Sequence, residues 1–240
     1  MVMRIENPSL GLPTHWANRI TAGNRPLGTL PDVRKLLGEP APQLANMAAL
    51  PPHIARMFRR GGLLDRIRRK LGVISRKKGG HFLAAHNTIA AVDPDDNIYV
   101  GVEFLEACEG DEAVIAGILA HEWGHMVSEL PRDVDWSHLT WEALFALRRE
   151  EEAGADAYAG RALYQMGYDV QPVIGFLQGL ETERRRARRL ATVKYYPNAT
   201  RAAILQEGYA AEQRLEESAR KLLTTPGYRH PSFSKLLAVG

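Results

Sequence analysis

The stretch that most constrains this chain is Asp111–Leu130, DEAVIAGILAHEWGHMVSEL. It predicts a helix, because Asp111 and Glu112 favour the positive N-terminal end and Pro131 stops the run. Val114, Ile118, His121 and His125 follow one another at steps of three and four, so they share one face. His121-Glu122-Trp123-Gly124-His125 is an HExxH pattern. Imidazoles at i and i+4 of a helix can both reach one tetrahedral zinc ion, and Glu122 projects just off that face, where it can hold a water on the metal. A solvated helix carrying two histidines by accident is the alternative. The apolar run before the motif opposes it, since those residues need a core and bring the pair to its edge. A third ligand decides between the two.

A second helix is predicted from about Thr140 to Met166, closed by Gly167. Its middle reads Glu150-Glu151-Glu152-Ala153-Gly154-Ala155-Asp156. Three consecutive glutamates ordinarily form a solvated charge run. Here small residues (Ala153, Gly154, Ala155, Ala157, Ala159, Gly160) follow, and they let another helix approach closely. Glu152 and Asp156 share a face, so one carboxylate can serve as third ligand and the other can accept the N–H of a ligating imidazole. Glu152 lies 27 residues after His125, enough chain to bring the two helices antiparallel.

HEWGH followed by Glu-x-x-Ala-Asp resembles the gluzincin peptidase family that includes the HtpX heat-shock proteases, Oma-type proteases and CaaX prenyl proteases. The lead-in NIYVGVEFLEACEGDEAVIAGILAHEWGH and the continuation AYAGRALYQMGYDVQPVIGFLQGL are also similar to it, so the resemblance spans roughly residues 85–190. It implies one zinc ion on His121, His125 and Glu152, Glu122 as general base and Asp156 orienting a ligating histidine. Of the three glutamates only Glu152 has the required spacing to Ala155-Asp156. A metzincin pattern fails, since Ser128 and Pro131 stand where it needs Gly and His.

The family continues with a His-Pro segment and an Arg six residues after the His, which stabilises an oxyanion. This chain departs from it. His230-Pro231 is followed by Lys235 and Leu236, whereas Tyr196-Pro197 leads to Arg201 but has Tyr in place of His. His230 is the leading candidate for the catalytic donor, with Tyr196 and Arg201 as further oxyanion donors. Ordinary C-terminal packing is the competing reading for all three.

Charge is unevenly spread: residues 1–80 carry 15 Lys+Arg against 4 Asp+Glu, and the other 160 carry 16 against 24. Residues 1–52 are rich in Pro and Gly, which predicts loops with one or two short helices on the main body, or else a flexible tail. In residues 53–80 ten basic residues interleave with apolar ones, broken at Gly61-Gly62 and closed by Gly79-Gly80. That pattern suits peripheral contact with an anionic membrane through residues 56–78, or nucleic acid. It also suits a helix pair packed on the core with a solvated basic face, the reading preferred here because the glycines interrupt the helix and no nucleic-acid module is recognisable. HFLAAHNTIAAVD and NIYVGVEF predict two strands joined by Pro94-Asp95-Asp96-Asn97, one of them a candidate edge for holding an extended peptide over the metal. Two charged helices are expected in 181–194 and 202–223.

The expected architecture is α+β and mainly helical: a gluzincin-like metallopeptidase with an HExxH helix, a second zinc-ligand helix and a small β-sheet before them. Residues 1–80 form a basic N-terminal extension packed on the core and 81–240 the zinc domain, whose part after 190 is helical. A single cysteine, Cys108, excludes an internal disulfide framework and fits a reducing compartment. No apolar leader and no membrane-spanning run is present, so the chain reads as cytoplasmic, acting on a peptide or protein substrate without obligatory nucleic acid. A non-proteolytic or latent zinc-binding regulatory protein is the alternative, separated from an enzyme by whether the fourth coordination position is open to water.

Overall fold

The computed structural model describes residues 42–77, 80–93, 95–108, 110–127, 140–184 and 195–224. His230 and residues 1–41 lie outside them, as does the expected helix of 181–194 beyond Arg184. The elements in order are β1 (Gln43–Leu44), a 3-10 turn (Met47–Ala49), α1 (Pro52–Phe58), α2 (Leu63–Ser75), β2 (His81–His86), β3 (Ala90–Val92), β4 (Asn97–Gly101), α3 (Val102–Ala107), α4 (Glu112–Val127), α5 (Trp141–Met166), α6 (Gln171–Arg184) and α7 (Asn198–Thr224). The chain is thus mainly helical, with one small mixed sheet. No helix among the described residues is long and apolar enough to cross a membrane.

α1 and α2 form the helix pair expected for the basic segment. The chain reverses at Gly61 and Gly62, where a Cβ on Gly62 would sit 2.4 Å from the Arg56 carbonyl oxygen, so no larger residue fits. Asp65 fastens the start of α2 by accepting from the Gly61 N–H at 2.7 Å. Ile54, Leu64, Ile67 and Leu71 are buried in the same core as the motif helix.

Two strand expectations need correction. HFLAAHNTIAAVD does not run as one strand: the backbone turns at Asn87, whose φ of 61° is left-handed, and β2 and β3 emerge on either side. The sheet order is β1-β2-β4-β3, with β2 and β4 parallel and β3 antiparallel to β4. The chain therefore visits the far edge as β3 before returning between its neighbours as β4. NIYVGVEF is also only partly extended, since β4 stops at Gly101 and Val102 opens α3. Thr88 closes over that point: its carbonyl oxygen would lie 1.9 Å from a Cβ on residue 101. Val102, Phe104 and Leu105 then bury one side of a helical turn rather than alternating as in a strand.

α4 is the central element. Asp111 caps it, its carboxylate accepting from the N–H groups of Ala113 and Val114 at 3.1 and 3.2 Å. Ile115, Ala116, Leu119, Ala120 and Trp123 are fully buried along one side of the helix, and Val114, Gly117 and Gly124 are buried on the other. α2, α5, α6 and the sheet surround it, so α4 is apolar nearly all round. Trp123 donates its indole N–H to the Ser75 hydroxyl at 3.0 Å and meets Phe82 edge-on.

α5 closes at Gly167 as its sequence predicts, with a left-handed φ of 80°, and Thr140 caps its start by accepting from the Ala143 N–H at 3.1 Å. The small residues in its middle admit two helices. On one side a Cβ on Gly124 of α4 would lie only 2.9 Å from the Ala155 Cα. On the other, a Cβ on Gly160 would reach 2.0 Å from the Leu205 carbonyl oxygen, and one on Gly208 2.3 Å from that of Ala157, which seats α7 directly on α5.

Candidate metal centre

The glycine of HEWGH sets the geometry. Because Gly124 has no side chain, the α4 backbone rides over Ala155, and the residues beside that crossing and one turn before it come face to face. His121 and His125 project from α4, Glu152 from α5. His121 Nε2 lies 3.2 Å from His125 Nε2 and 3.1 Å from Glu152 Oε2, and His125 Nε2 lies 3.6 Å from the same oxygen. The rings stand perpendicular with centroids 4.8 Å apart. Ligand atoms of a tetrahedral zinc site, at bonds of about 2.0–2.1 Å, lie roughly 3.3 Å from one another. The triangle therefore has the size of one face of such a tetrahedron, and the two imidazoles and the carboxylate fit a divalent cation.

The outer nitrogens face carboxylates. Asp156 Oδ1 lies 2.8 Å from His121 Nδ1, off the axis of a linear hydrogen bond. Glu151 Oε1 lies 3.5 Å from His125 Nδ1. Asp156 is held in turn by Arg201 from the start of α7, whose Nε and Nη2 donate to its two oxygens at 2.8 Å each. The guanidinium lies over the Tyr195 ring at 4.8 Å and is buried. Arg148, one turn before the glutamates, pairs with Glu151 and approaches Glu152 Oε1 at 3.7 Å, on the side away from the imidazoles. Glu122 follows His121 on α4, half-buried, and its charge reaches His125.

These contacts set the protonation of the metal-free site. Burial by itself would push the His121 pKa down, but Asp156 and Glu152 outweigh it and raise the value to about 9. His125 shifts upward in the same way under Glu151 and Glu152. Burial would raise Glu152, yet the two imidazoles hold its carboxyl well below the usual range. For Asp156, His121 and Arg201 overcome burial and keep it ionised. The metal-free pocket thus binds protons where an ion would otherwise sit.

A pH dependence follows. His121 is raised from an ordinary 6.5 to about 9, so its stabilising effect on the metal-free protein is complete below pH 6.5 and is lost as pH rises through about 9. Metal ligation needs neutral imidazole, so uptake at pH 7 must release the His121 proton, and affinity should rise roughly tenfold per pH unit for each proton released. Titration calorimetry in buffers of different ionisation enthalpy measures the number: at least one is expected, and none would contradict this electrostatic picture.

Of the residues singled out in the sequence, His121, His125, Glu152 and Asp156 come together here, with Glu122 beside them. Tyr196 and Arg201 are instead committed to carboxylates of α5, Tyr196 donating to Glu150 at 2.5 Å and Arg201 reaching His121 only through Asp156. His230 lies outside the described residues. Glu151 and Arg148 were not singled out. Glu151 reads as part of a solvated run, but its side chain is 11% exposed and turned to His125. The i, i+3 and i, i+4 spacing of Arg148 to Glu151 and Glu152 was the available signal. No protein-family model matches the chain, and no curated protein matches it.

Proposed function

We propose that this chain is a zinc-dependent endopeptidase of the gluzincin type, with His121, His125 and Glu152 as metal ligands and Glu122 as general base. The observation that carries the reading is the convergence of three donor atoms on a tetrahedral face with a carboxylate of the same helix at its side. A zinc ion held there would polarise a peptide carbonyl and acidify a water molecule.

The remaining roles belong to the chain. Glu122 accepts the proton of the attacking water and passes it to the leaving amine. Asp156 and Glu151, at the Nδ1 atoms, favour the tautomers that leave both Nε2 lone pairs turned inward. Arg148, beside Glu152 Oε1, leaves Oε2 as the inward oxygen. The substrate backbone has a candidate rail in β3, an edge strand packed against α4, with no strand on its other side among the described residues. The Gly101 N–H donates to the Ile89 carbonyl, and the Asp93 N–H to the Asn97 carbonyl, at 2.9 Å each. By the alternation of antiparallel pairs, Ala90 and Val92 then turn their N–H and C=O groups to the open edge, where an extended peptide can pair.

Digestion of a mixed peptide library tests the proposal. Cleavage of internal bonds is expected, abolished by a zinc chelator and restored by added zinc. Cleavage that persists in chelator, or none at any metal loading, would overturn it.

A further inference from the structure

α1 and α2 bury one side in the core and present another that the metal site does not use. On α2 the buried residues are Leu63, Leu64, Ile67 and Leu71. Arg66, Arg69, Lys70 and Val73 are exposed and fall within an arc of about 100° at helical spacing. Arg76, also exposed, ends the row, and Arg56, Arg59 and Arg60 extend it across α1 and the turn. Residues 42–77 hold nine Lys+Arg and a single acid, Asp65. Nearby carboxylates offset only part of this charge: Asp65 pairs with Arg68 and Arg69, Glu112 with Arg66, and Asp96 with Lys77. Pairs exposed like that of Arg66 and Glu112 are weak and readily exchanged for another anion.

We propose that this face docks the protein on an anionic phospholipid surface. Charge complementarity is the first argument: an extended row of cations suits a plane of headgroups, where each arginine adds independently to adhesion. The second is Val73, 78% exposed in the middle of the cationic row. An apolar side chain there can enter the headgroup layer, with the flanking arginine stems reaching up to the phosphates. Duplex or single-stranded nucleic acid suits the face less well. Apart from His53, its exposed residues include no aromatic ring to stack on a base, and no Asn or Gln to read a base edge. The proposal is independent of the metal and of peptidase activity.

The test is sedimentation of the full-length protein with phosphatidylcholine vesicles, with and without phosphatidylserine, beside a competing duplex DNA. Binding that requires phosphatidylserine and is lost at high salt is expected. The triple variant R60Q/R69Q/R76Q, altered only at exposed positions, should bind on the order of a hundredfold more weakly, about fivefold per charge. Val73→Ala should weaken vesicle binding and leave any DNA binding unchanged. Equal binding to neutral vesicles, undiminished binding by the triple variant, or preference for DNA over vesicles at the same salt would each overturn the assignment.

Discussion

Glu122→Gln should leave the chain folded and its metal bound while peptide hydrolysis falls by about 10²–10⁴-fold, the range ascribed to a positioned general base. The amide matches the carboxylate in size but cannot accept the proton of an attacking water. The donor triangle of His121, His125 and Glu152 does not include Glu122, so metal content should stay near that of the wild type. Measuring kcat/KM on a cleaved peptide together with bound metal separates the two effects. A variant that cleaves at the wild-type rate would remove Glu122 from the mechanism. One that loses its metal would make Glu122 a structural contributor instead.

Asp156→Ala has the second large expected effect, on stability. Asp156 is buried between Arg201 and His121 and bonded to both guanidinium nitrogens that face it. Removing it strands a buried arginine, which costs about 3–5 kcal/mol, and lowers Tm by roughly 6–20 °C in a chain of this size. It also frees the His121 ring, which should weaken metal binding by roughly 10–100-fold. The double variant Asp156→Ala/Arg201→Met separates the two consequences. Without the stranded charge it should recover most of the stability, whereas metal affinity should stay low because His121 still lacks its anchor. Thermal unfolding of metal-free protein and zinc competition titrations read these quantities. A single variant as stable as wild type would contradict the assigned burial and pairing.

How much of this was legible in the sequence depended on whether a local pattern carried the information. The i, i+4 histidines, the acids Asp111 and Glu112 at a helix start and the closing Gly167 are local signals, and they located the two helices of the site to within a few residues. The close approach of those helices was also readable, because Ala155 on α5 is small where the α4 backbone crosses it. The glutamate run was harder. Glu150, Glu151 and Glu152 are chemically identical, and only the position of α5 between α4 and α7 decides that Glu150 faces solvent while the other two turn inward. Glu152 was singled out by its spacing to Asp156; Glu151 had no such marker. The sheet failed for a similar reason. Asn87 is a turn-prone residue that tolerates the left-handed region, but nothing local says that the strand after it crosses to the far edge. Val102–Ala107 has apolar positions compatible with either period, so its helix emerges only once Thr88 blocks β4 at Gly101.

The central claim is that two helices present one cation site, and metal analysis of the purified protein tests it most directly. One zinc ion per chain is expected after zinc loading and dialysis, with X-ray absorption showing only nitrogen and oxygen scatterers at about 2.0–2.1 Å. His121→Ala, His125→Ala and Glu152→Ala should each lose most of that metal while Glu150→Ala keeps it. A folded wild-type protein that retains no ion, or holds it equally well without Glu152, would contradict the site as drawn.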